Sequence, residues 1–221
     1  MIELVVFDMA GTTVHDGFAV NTCFRSALAA VNVYPELGSI DAVMGLSKPE
    51  AIRLLLQAAK RRCDNHEIDA IHNDFSARMQ RYYASDPAVR EIPGATKVFA
   101  ELRRAGIKVA LNTGFDHRTV DVLLKRLKWS AAVDGVVASD EVLRGRPHPD
   151  MIRHLMALLG VANPKHVAKV GDTLVDLEEG RNAGCGLVVG VTTGTFSRKQ
   201  LEKFPSAVVV DSIVDVSALL L

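Results

Sequence analysis

Cysteine is scarce in this chain, and neither sign of charge is in excess. The 221 residues include three cysteines, an odd number, and none lies in a Cys-x-x-Cys pair. This usage argues against a disulfide framework or a zinc finger, and we expect a reducing, cytoplasmic location. Lysine and arginine total 26, as do aspartate and glutamate, so the formal net charge is zero. We therefore expect no nucleic-acid partner.

Long apolar runs are also missing. The first run, from Leu4 to Phe7, stops at Asp8 and has no basic segment before it, so it predicts a strand and not a signal peptide. The last run, Leu219 to Leu221, is far too short to span a bilayer, and we expect no membrane partner. At 48% hydrophobic residues the chain can still bury a full core.

From about residue 94 onward, short apolar strands alternate with helices. Strand candidates include Ile107 to Leu111 and Val167 to Val170, and one helix between them opens at Pro149 and closes at Gly160. This alternation predicts a parallel sheet with helices on both faces, to which the strand before Asp8 also belongs. The predicted fold class is α/β, with a Rossmann-like parallel sheet as its core.

Residues 15–91 contain no convincing strand. Apolar residues at helical spacing predict helices around Val20 to Val31 and Ile68 to Tyr82, and Ser47-x-x-Glu50 has the form of a capping box that opens a third helix. We predict a core of residues 1–14 plus 92–221 and an all-helical cap domain of residues 15–91. Since the insert follows the first strand directly, it would cover the end of that strand.

Asp8 and Ala10 are the most informative pair in the sequence. A buried strand that ends in a carboxylate and opens into a Gly/Thr loop is a common way to present a nucleophile to phosphorus, and Asp8 can form an aspartyl-phosphate. A second aspartate two residues later would protonate a leaving oxygen. Because Ala10 cannot donate a proton, the sequence predicts chemistry other than plain ester hydrolysis, or a loss of activity.

Three more polar segments follow predicted strands, at Thr113-Gly114, at Arg146 and at Asp172-Thr173. Each alone is weak, but parallel strands bring their carboxyl ends to one edge, where ligands bind. Thr113 and nearby N–H groups can hold phosphoryl oxygens, and Arg146 can grip a phosphate through two hydrogen bonds.

The sequence also predicts a metal at this edge. Asp8, Asp172 and Asp176 cannot lie together ionised without a cation between them. A ligand set made only of oxygen atoms favours Mg²⁺.

This order of motifs resembles the haloacid dehalogenase superfamily over nearly the whole chain. Within it, Asp8-x-Ala10-Gly11-Thr12 looks like the phosphonoacetaldehyde hydrolases, or phosphonatases, and their phosphonatase-like relatives. Two further features agree. Arg146 stands where most of the superfamily has lysine, and Met44-Gly45-Leu46-Ser47-Lys48 is similar to the phosphonatase segment that holds a Schiff-base lysine.

The resemblance implies a role for each candidate site residue. Asp8 and Lys48 would be catalytic, and Thr113, Gly114, Arg146 and Gly45 would bind the substrate. The metal ligands would be Asp8, the carbonyl of Ala10 and Asp172, with Thr12 and Asp176 in support.

The chemistry of a phosphonatase agrees with Ala10. Cleaving a C–P bond expels a carbanion, which needs an electron sink and not an acid. An iminium between Lys48 and the substrate aldehyde can accept the electron pair as an enamine, and a position at a helix N-terminus disfavours the ammonium form. The alternative is that Lys48 is a solvated surface lysine.

Three positions depart from the phosphonatase pattern. Ala51 stands where a histidine commonly follows the lysine by three residues, Phe115 where tyrosine is frequent, and Phe18 where a cysteine occurs. Loss of the histidine removes a proton shuttle for imine formation, and His15 is one candidate to replace it. A slower reaction or a changed substrate are the other interpretations.

Three functions follow from this sequence. The first is a Mg²⁺-dependent hydrolase of phosphonoacetaldehyde or a similar small phosphonate, acting through a Lys48 Schiff base and an Asp8 phosphoenzyme. The second is a phosphomonoesterase for a small phosphorylated metabolite, and the third is a catalytically silent domain that senses phosphate or binds a partner. The resemblance also implies a homodimer formed through the cap.

Overall fold

The structure, a computed structural model, describes residues 1–221 as six β-strands and ten α-helices. The strands are β1 (Leu4–Asp8), β2 (Lys108–Thr113), β3 (Gly135–Ala138), β4 (Val167–Gly171), β5 (Leu187–Val191) and β6 (Val208–Val210). The helices are α1 (Ala19–Ala29), α2 (Leu37–Asp41), α3 (Lys48–Ala58), α4 (Asn65–Ser85), α5 (Ala95–Arg104), α6 (His117–Leu127), α7 (Asp150–Leu159), α8 (Leu174–Ala183), α9 (Arg198–Leu201) and α10 (Ile213–Leu220). None of these helices has the length and apolarity needed to cross a bilayer.

All six strands run parallel in one sheet, in the order β3-β2-β1-β4-β5-β6. The first strand is central: Asp8 lies opposite Asn112 of β2, and Phe7 lies opposite Val170 of β4. The strand order reverses at β1, and ligands of parallel sheets bind at such a point, beyond the carboxyl ends of the strands. The predicted α/β, Rossmann-like fold is confirmed.

Two hydrophobic clusters cover the two faces of the sheet. Because side chains alternate along a strand, Leu4 and Val6 of β1 join one cluster while Val5 and Phe7 join the other. The cluster that contains Phe7 continues into α1, α3 and α4. The inserted helices and the sheet therefore share one apolar interior.

Helices α1 to α4 all lie between β1 and β2 in the sequence, in agreement with an all-helical insert. Aromatic packing joins them, since the ring of Phe24 in α1 lies 4.4 Å from that of Phe75 in α4. The boundaries at residues 14/15 and 91/92, and the homodimer through the cap, stay predictions.

The chain enters and leaves these helices at neighbouring points. The N–H of His15 donates to the carbonyl of Arg90 over 3.0 Å, and the N–H of Ile92 donates to the carbonyl of Thr13 over 2.8 Å. Val14 lies between the two hydrogen bonds and is fully buried. The insert is therefore closed at its base by its own backbone.

The prediction of a capping box at the start of α3 was wrong. α3 begins directly after Ser47, but the Ser47 side chain makes no capping hydrogen bond. The carboxylate of Glu50 instead accepts from Nε of Arg53 over 3.2 Å. The pair Ser47–Glu50 marks the start of the helix without forming the capping box.

Candidate active site

Asp8 is the last residue of β1, is 5% exposed, and is followed by a tight turn. The N–H of Thr13 donates to the carbonyl of Met9 over 2.8 Å, and its hydroxyl donates to the carbonyl of Asp8 over 2.9 Å. Gly11 has a φ of +90°, and a Cβ there would lie 2.6 Å from Oδ2 of Asp172. Glycine therefore lets the turn press its backbone against the carboxylate that follows β4.

Asp172 is held from both sides. Its Oδ1 accepts from the hydroxyl of Thr12 over 3.1 Å, and its Oδ2 accepts from the N–H of Thr195 over 2.7 Å. Burial, and then the charges of Asp8 and Asp176, raise the pKa of Asp172 well above its usual value. Thr12, predicted to support the metal ligands, thus orients this carboxylate.

Arg146 lies among the carboxylates and is 4% exposed. Its Nη1 lies 2.7 Å from Oδ1 of Asp8 and 2.9 Å from Oδ1 of Asp176, and its Nε lies 3.2 Å from Oε2 of Glu179. Nη2 donates to the carbonyl and side-chain oxygens of Asn112 over 2.7 and 2.8 Å. Burial opposes the charge, but these carboxylates dominate and raise the pKa of Arg146.

Lys169 is a second buried cation, which the sequence analysis missed together with Glu179. Its Nζ lies 2.6 Å from Oδ1 of Asn112, 3.0 Å from Oδ1 of Asp176 and 3.2 Å from Oε2 of Glu179. The sequence feature that could have predicted this cation was a lysine in the middle of β4, an otherwise apolar strand that is buried along its whole length. Charged side chains are rarely buried without partners, so this position called for a carboxylate nearby.

The donor set fits a divalent cation. Carboxylate oxygens of Asp8, Asp172 and Asp176 lie within 4.8 Å of one another. With Glu179, four carboxylates face two buried cations, which leaves two negative charges in excess when all are ionised. Asp176 pairs with both cations and Asp8 with Arg146 alone, whereas Asp172 pairs with neither, so Asp8 and Asp172 keep the most negative charge for a metal. A hard ion such as Mg²⁺ matches these oxygens.

Gly45 and Gly114 form a direct contact between cap and sheet. A Cβ on Gly114 would collide with the carbonyl oxygen of Leu46, and a Cβ on Gly45, which has a φ of +87°, would lie 2.5 Å from Oγ1 of Thr173. The two predicted substrate-binding glycines therefore allow the backbone of the cap to rest on the ends of β2 and β4.

Lys48 is the first residue of α3 and is 4% exposed, so it is not a solvated surface lysine. Its Nζ lies 4.9 Å from the ring centroid of Phe115, 5.4 Å from that of Phe24 and 5.9 Å from that of Phe75. Burial lowers the pKa of Lys48 to about 8, although the charge of Asp8 acts in the opposite direction. A substantial fraction of this amine is therefore neutral at physiological pH.

A cavity of about 230 Å³ joins these groups. It is a small space, which suits a small-molecule ligand. The structure brings together all the predicted catalytic, substrate-binding and metal-ligating residues on its wall, namely Asp8, Ala10, Gly45, Lys48, Thr113, Gly114, Arg146 and Asp172. Thr12 and Asp176 lie behind that wall, bonded to Asp172 and Arg146 respectively.

Two of the three departures from the phosphonatase pattern, Phe18 and Phe115, line the same cavity, whereas Ala51 does not reach its wall. Phe115 is buried against Lys48, and Ala51 is fully buried in α3 one turn after it. Phe18 is 78% exposed at the cavity wall and has a φ of +63°. The wall around the amine is thus more apolar than the pattern predicts.

Comparison with known proteins decides the family. The sequence pattern of the haloacid dehalogenase-like hydrolases matches residues 2–184. The chain belongs to the haloacid dehalogenase-like hydrolases. The resemblance drawn from the motifs is confirmed, and so is the assignment of the protein as a hydrolase.

Similar proteins of this family include enzymes named for C–P chemistry. The phosphonoacetaldehyde hydrolase of Bordetella pertussis is 33% identical over 219 residues, which cover 93% of this chain and 78% of that protein. A solved phosphonoacetaldehyde hydrolase-like protein from Oleispira antarctica superposes with a TM-score of 0.87 at 25% identity, over 99% of this chain and 91% of the other. A predicted phosphoglycolate phosphatase from Haemophilus somnus superposes with a TM-score of 0.80 at 20% identity, over 99% and 97% of the two chains. The last similarity is one of fold alone.

Proposed function

We propose that this hydrolase cleaves the C–P bond of phosphonoacetaldehyde, or of a similar small 2-oxoalkylphosphonate, with the help of Mg²⁺. One observation carries the proposal. Lys48, an amine whose pKa burial lowers to about 8, faces the same small cavity as Asp8, while Ala10 supplies no acid for a leaving oxygen. The name of the relative from B. pertussis supports the same chemistry.

The phosphoryl group binds at the edge of the sheet. Arg146 brings a fixed positive charge to the cavity wall, and Thr113 lines the same wall. Asp8 and Asp172, with the carbonyl of Ala10, would hold Mg²⁺. The metal, when bound, neutralises phosphoryl charge.

Lys48 supplies the electron sink. Its neutral nitrogen adds to the aldehyde carbon, and loss of water gives an iminium. An oxygen of Asp8 then bonds to phosphorus while the C–P bond breaks, and the electron pair of that bond moves into the iminium to form an enamine. The enamine carbon then takes a proton from water to give an iminium. One water releases phosphate from Asp8 and a second releases acetaldehyde from Lys48, so both side chains are restored.

The cap excludes water from these intermediates. Lys48 arrives on α3 of the cap, whereas Asp8 belongs to the sheet, so the two halves of the reaction meet only when the cap rests on the core. The contact of Gly45 and Gly114 with the opposing backbone supports this closed arrangement.

The test is mass spectrometry after incubation with Mg²⁺, phosphonoacetaldehyde and borohydride. A reduced two-carbon adduct on Lys48, with phosphate released in unreduced samples, is the expected result. Asp8→Asn is the matched control: it should lose phosphate release by roughly 10⁴-fold while Lys48 is still modified. Phosphate release without any adduct on Lys48 would contradict the proposal.

A phosphomonoesterase for a small phosphate ester is the second candidate. The fold is shared with a predicted phosphoglycolate phosphatase, and the groups for phosphoryl transfer are all present. Without an acid at Ala10, such an enzyme would depend on esters with good leaving groups. A panel of phosphate esters, compared with phosphonoacetaldehyde under the same conditions, separates the two candidates.

A further inference from the structure

The cavity contains titratable groups that the proposed reaction does not use. His15, Asp16 and Asp41 all lie on its wall. Asp41 accepts a hydrogen bond from Nδ2 of Asn21 over 3.5 Å. Asp16 differs from the other two because it is coupled to the amine: the charge of Asp16 raises the pKa of Lys48, and the charge of Lys48 lowers that of Asp16.

Backbone contacts hold Asp16 in place at the start of α1. Its Oδ1 accepts from the N–H of Val20 over 3.3 Å, and its carbonyl accepts from the N–H of Ala19 over 2.9 Å. Its Oδ2 has no hydrogen-bond partner in the protein. One carboxylate oxygen is thus anchored, and the other is free to serve a group in the cavity.

Imine formation at Lys48 needs a proton acceptor and a proton donor. Ala10 and Ala51 supply neither, and Arg146 is held in its charged form by three carboxylates. We propose that Asp16 is the general acid–base residue of the Lys48 imine, a role that rests on the proposed function.

The proton then follows a closed path. Through a water molecule in the cavity, the Asp16 carboxylate takes one proton from the Lys48 ammonium, which leaves a neutral amine and a carboxylic acid facing the same space. The nitrogen bonds to the aldehyde carbon, and one N–H proton moves to the carbonyl oxygen to give a carbinolamine. Asp16 donates its proton to that hydroxyl, the C–O bond breaks, water leaves, and the nitrogen lone pair forms the iminium. In the release step, water adds to the iminium carbon and Asp16 accepts one of its protons. Asp16 then returns that proton to the nitrogen, the C–N bond breaks while the hydroxyl proton passes to Asp16, and acetaldehyde leaves a neutral Lys48.

The pair works with a single shared proton. Burial raises the pKa of Asp16 to about 6, and burial lowers that of Lys48 to about 8. Between these values the pair holds one proton, so imine formation should follow a bell-shaped pH profile with limbs near them. The other groups coupled to Asp16 are Asp8 of β1, Cys23 of α1, and Tyr82 and Tyr83 of α4. Burial raises the pKa of that thiol to about 11 and also raises the pKa values of both phenols, so these three groups stay neutral across the bell.

The experiment is reductive trapping with acetaldehyde and cyanoborohydride between pH 5 and 9, with the Lys48 adduct quantified by peptide mass spectrometry. Acetaldehyde contains no phosphorus, so the Asp8 reaction does not enter the measurement. In Asp16→Asn we expect adduct formation at neutral pH to slow by about 100-fold and the bell to become a single rising limb. Asp16→Glu, which keeps the carboxyl group, should retain a bell. Asp41→Asn removes another carboxylate from the same wall and should keep the acid limb.

Each outcome separates the two proposals. If the wild type forms the adduct and Asp16→Asn forms it at the same rate with the same bell-shaped pH profile, Asp16 is not the general acid–base residue. The Lys48 imine would then still stand. If the wild type forms no adduct, both proposals fail. Hydrolysis of acetyl phosphate, whose good leaving group needs no acid, checks that the Asp16→Asn protein is folded. Should this variant not fold, Asp16→Ser provides the same loss of the carboxyl group and the same comparison.

Discussion

Nη1 of Arg146 lies 2.7 Å from Oδ1 of Asp8, so the guanidinium and the proposed nucleophile are in direct contact. The same nitrogen lies 2.9 Å from Oδ1 of Asp176. A single arginine therefore orients the Asp8 carboxylate, the proposed nucleophile, and links it to the helix that follows β4. Replacing that arginine should affect substrate binding and the nucleophile together.

Arg146→Lys tests this contact. Lysine keeps the charge, but its compact ammonium cannot reproduce the planar fork that reaches Asp8, Glu179 and Asn112 at once. We expect the KM for phosphonoacetaldehyde to rise roughly 10- to 100-fold, as for the loss of a charged hydrogen bond. Steady-state phosphate release measures this effect, and an unchanged KM would show that Arg146 does not bind the phosphoryl group.

Lys48→Arg separates the two halves of the reaction. Arginine stays charged and cannot form an imine. C–P cleavage should fall to background, whereas hydrolysis of acetyl phosphate, which needs only the phosphoryl site, should persist. Both activities are read as phosphate release from the same preparation. Normal C–P cleavage by this variant would remove Lys48 from the mechanism.

Lys169→Met tests the buried charge network. The substitution keeps the length of the side chain but leaves Asp176 and Glu179 with one cation in place of two. Breaking a buried charge pair costs about 3–5 kcal/mol, so the midpoint of urea unfolding should fall markedly. The exposed Lys165, four residues earlier, gives the matched control Lys165→Met, which should unfold like the wild type. Equal midpoints would mean that the network does not stabilise the fold.

Removal of the metal should affect stability as well as turnover. Mg²⁺ that binds only the folded state raises the melting temperature, and it relieves the mutual repulsion of Asp8 and Asp172. We expect thermal stability to increase with Mg²⁺ in the wild type and to respond much less in Asp172→Asn. Chelation with EDTA should abolish phosphate release but leave acetaldehyde trapping on Lys48 intact. A full Mg²⁺ response in Asp172→Asn would place the metal elsewhere.

The sheet and the helical insert were predictable because their signals are local and periodic. Apolar strands such as Leu4–Asp8 and Val167–Gly171 alternate with helices, and a parallel sheet then brings Asp8 and Asp172 to one edge. The position of Lys48 in the cavity could be expected from its place at the start of a helix in the insert and from the family resemblance. For Asp8 and Asp172, the strand pattern and the sequence motifs predicted the same site.

Other features depend on distant contacts and could not be derived from local patterns. Lys169 pairs with a carboxylate on a following helix and with Asn112 on another strand, and nothing adjacent to it in sequence announces either partner. Asp16 lies in a short loop whose neighbours resemble an ordinary turn. Only the packing of α3 against the core brings Lys48 to the same cavity wall as Asp16. The Ser47–Glu50 pair shows the reverse case, in which a local pattern marks the start of a helix but its side chains do not form the predicted bonds.

The paired backbone at the base of the insert has a consequence for how the chain folds. Because His15 bonds to Arg90 and Ile92 bonds to Thr13, the two points at which the helices join the sheet are held together as in a hairpin. With respect to the sheet, residues 15–90 therefore form a long loop whose two ends are joined by hydrogen bonds. The entropic cost of closing such a loop grows only slowly with its length. An insert joined in this way can vary in size, or be exchanged for another, without changing the register of the strands that carry Asp8 and Asp172.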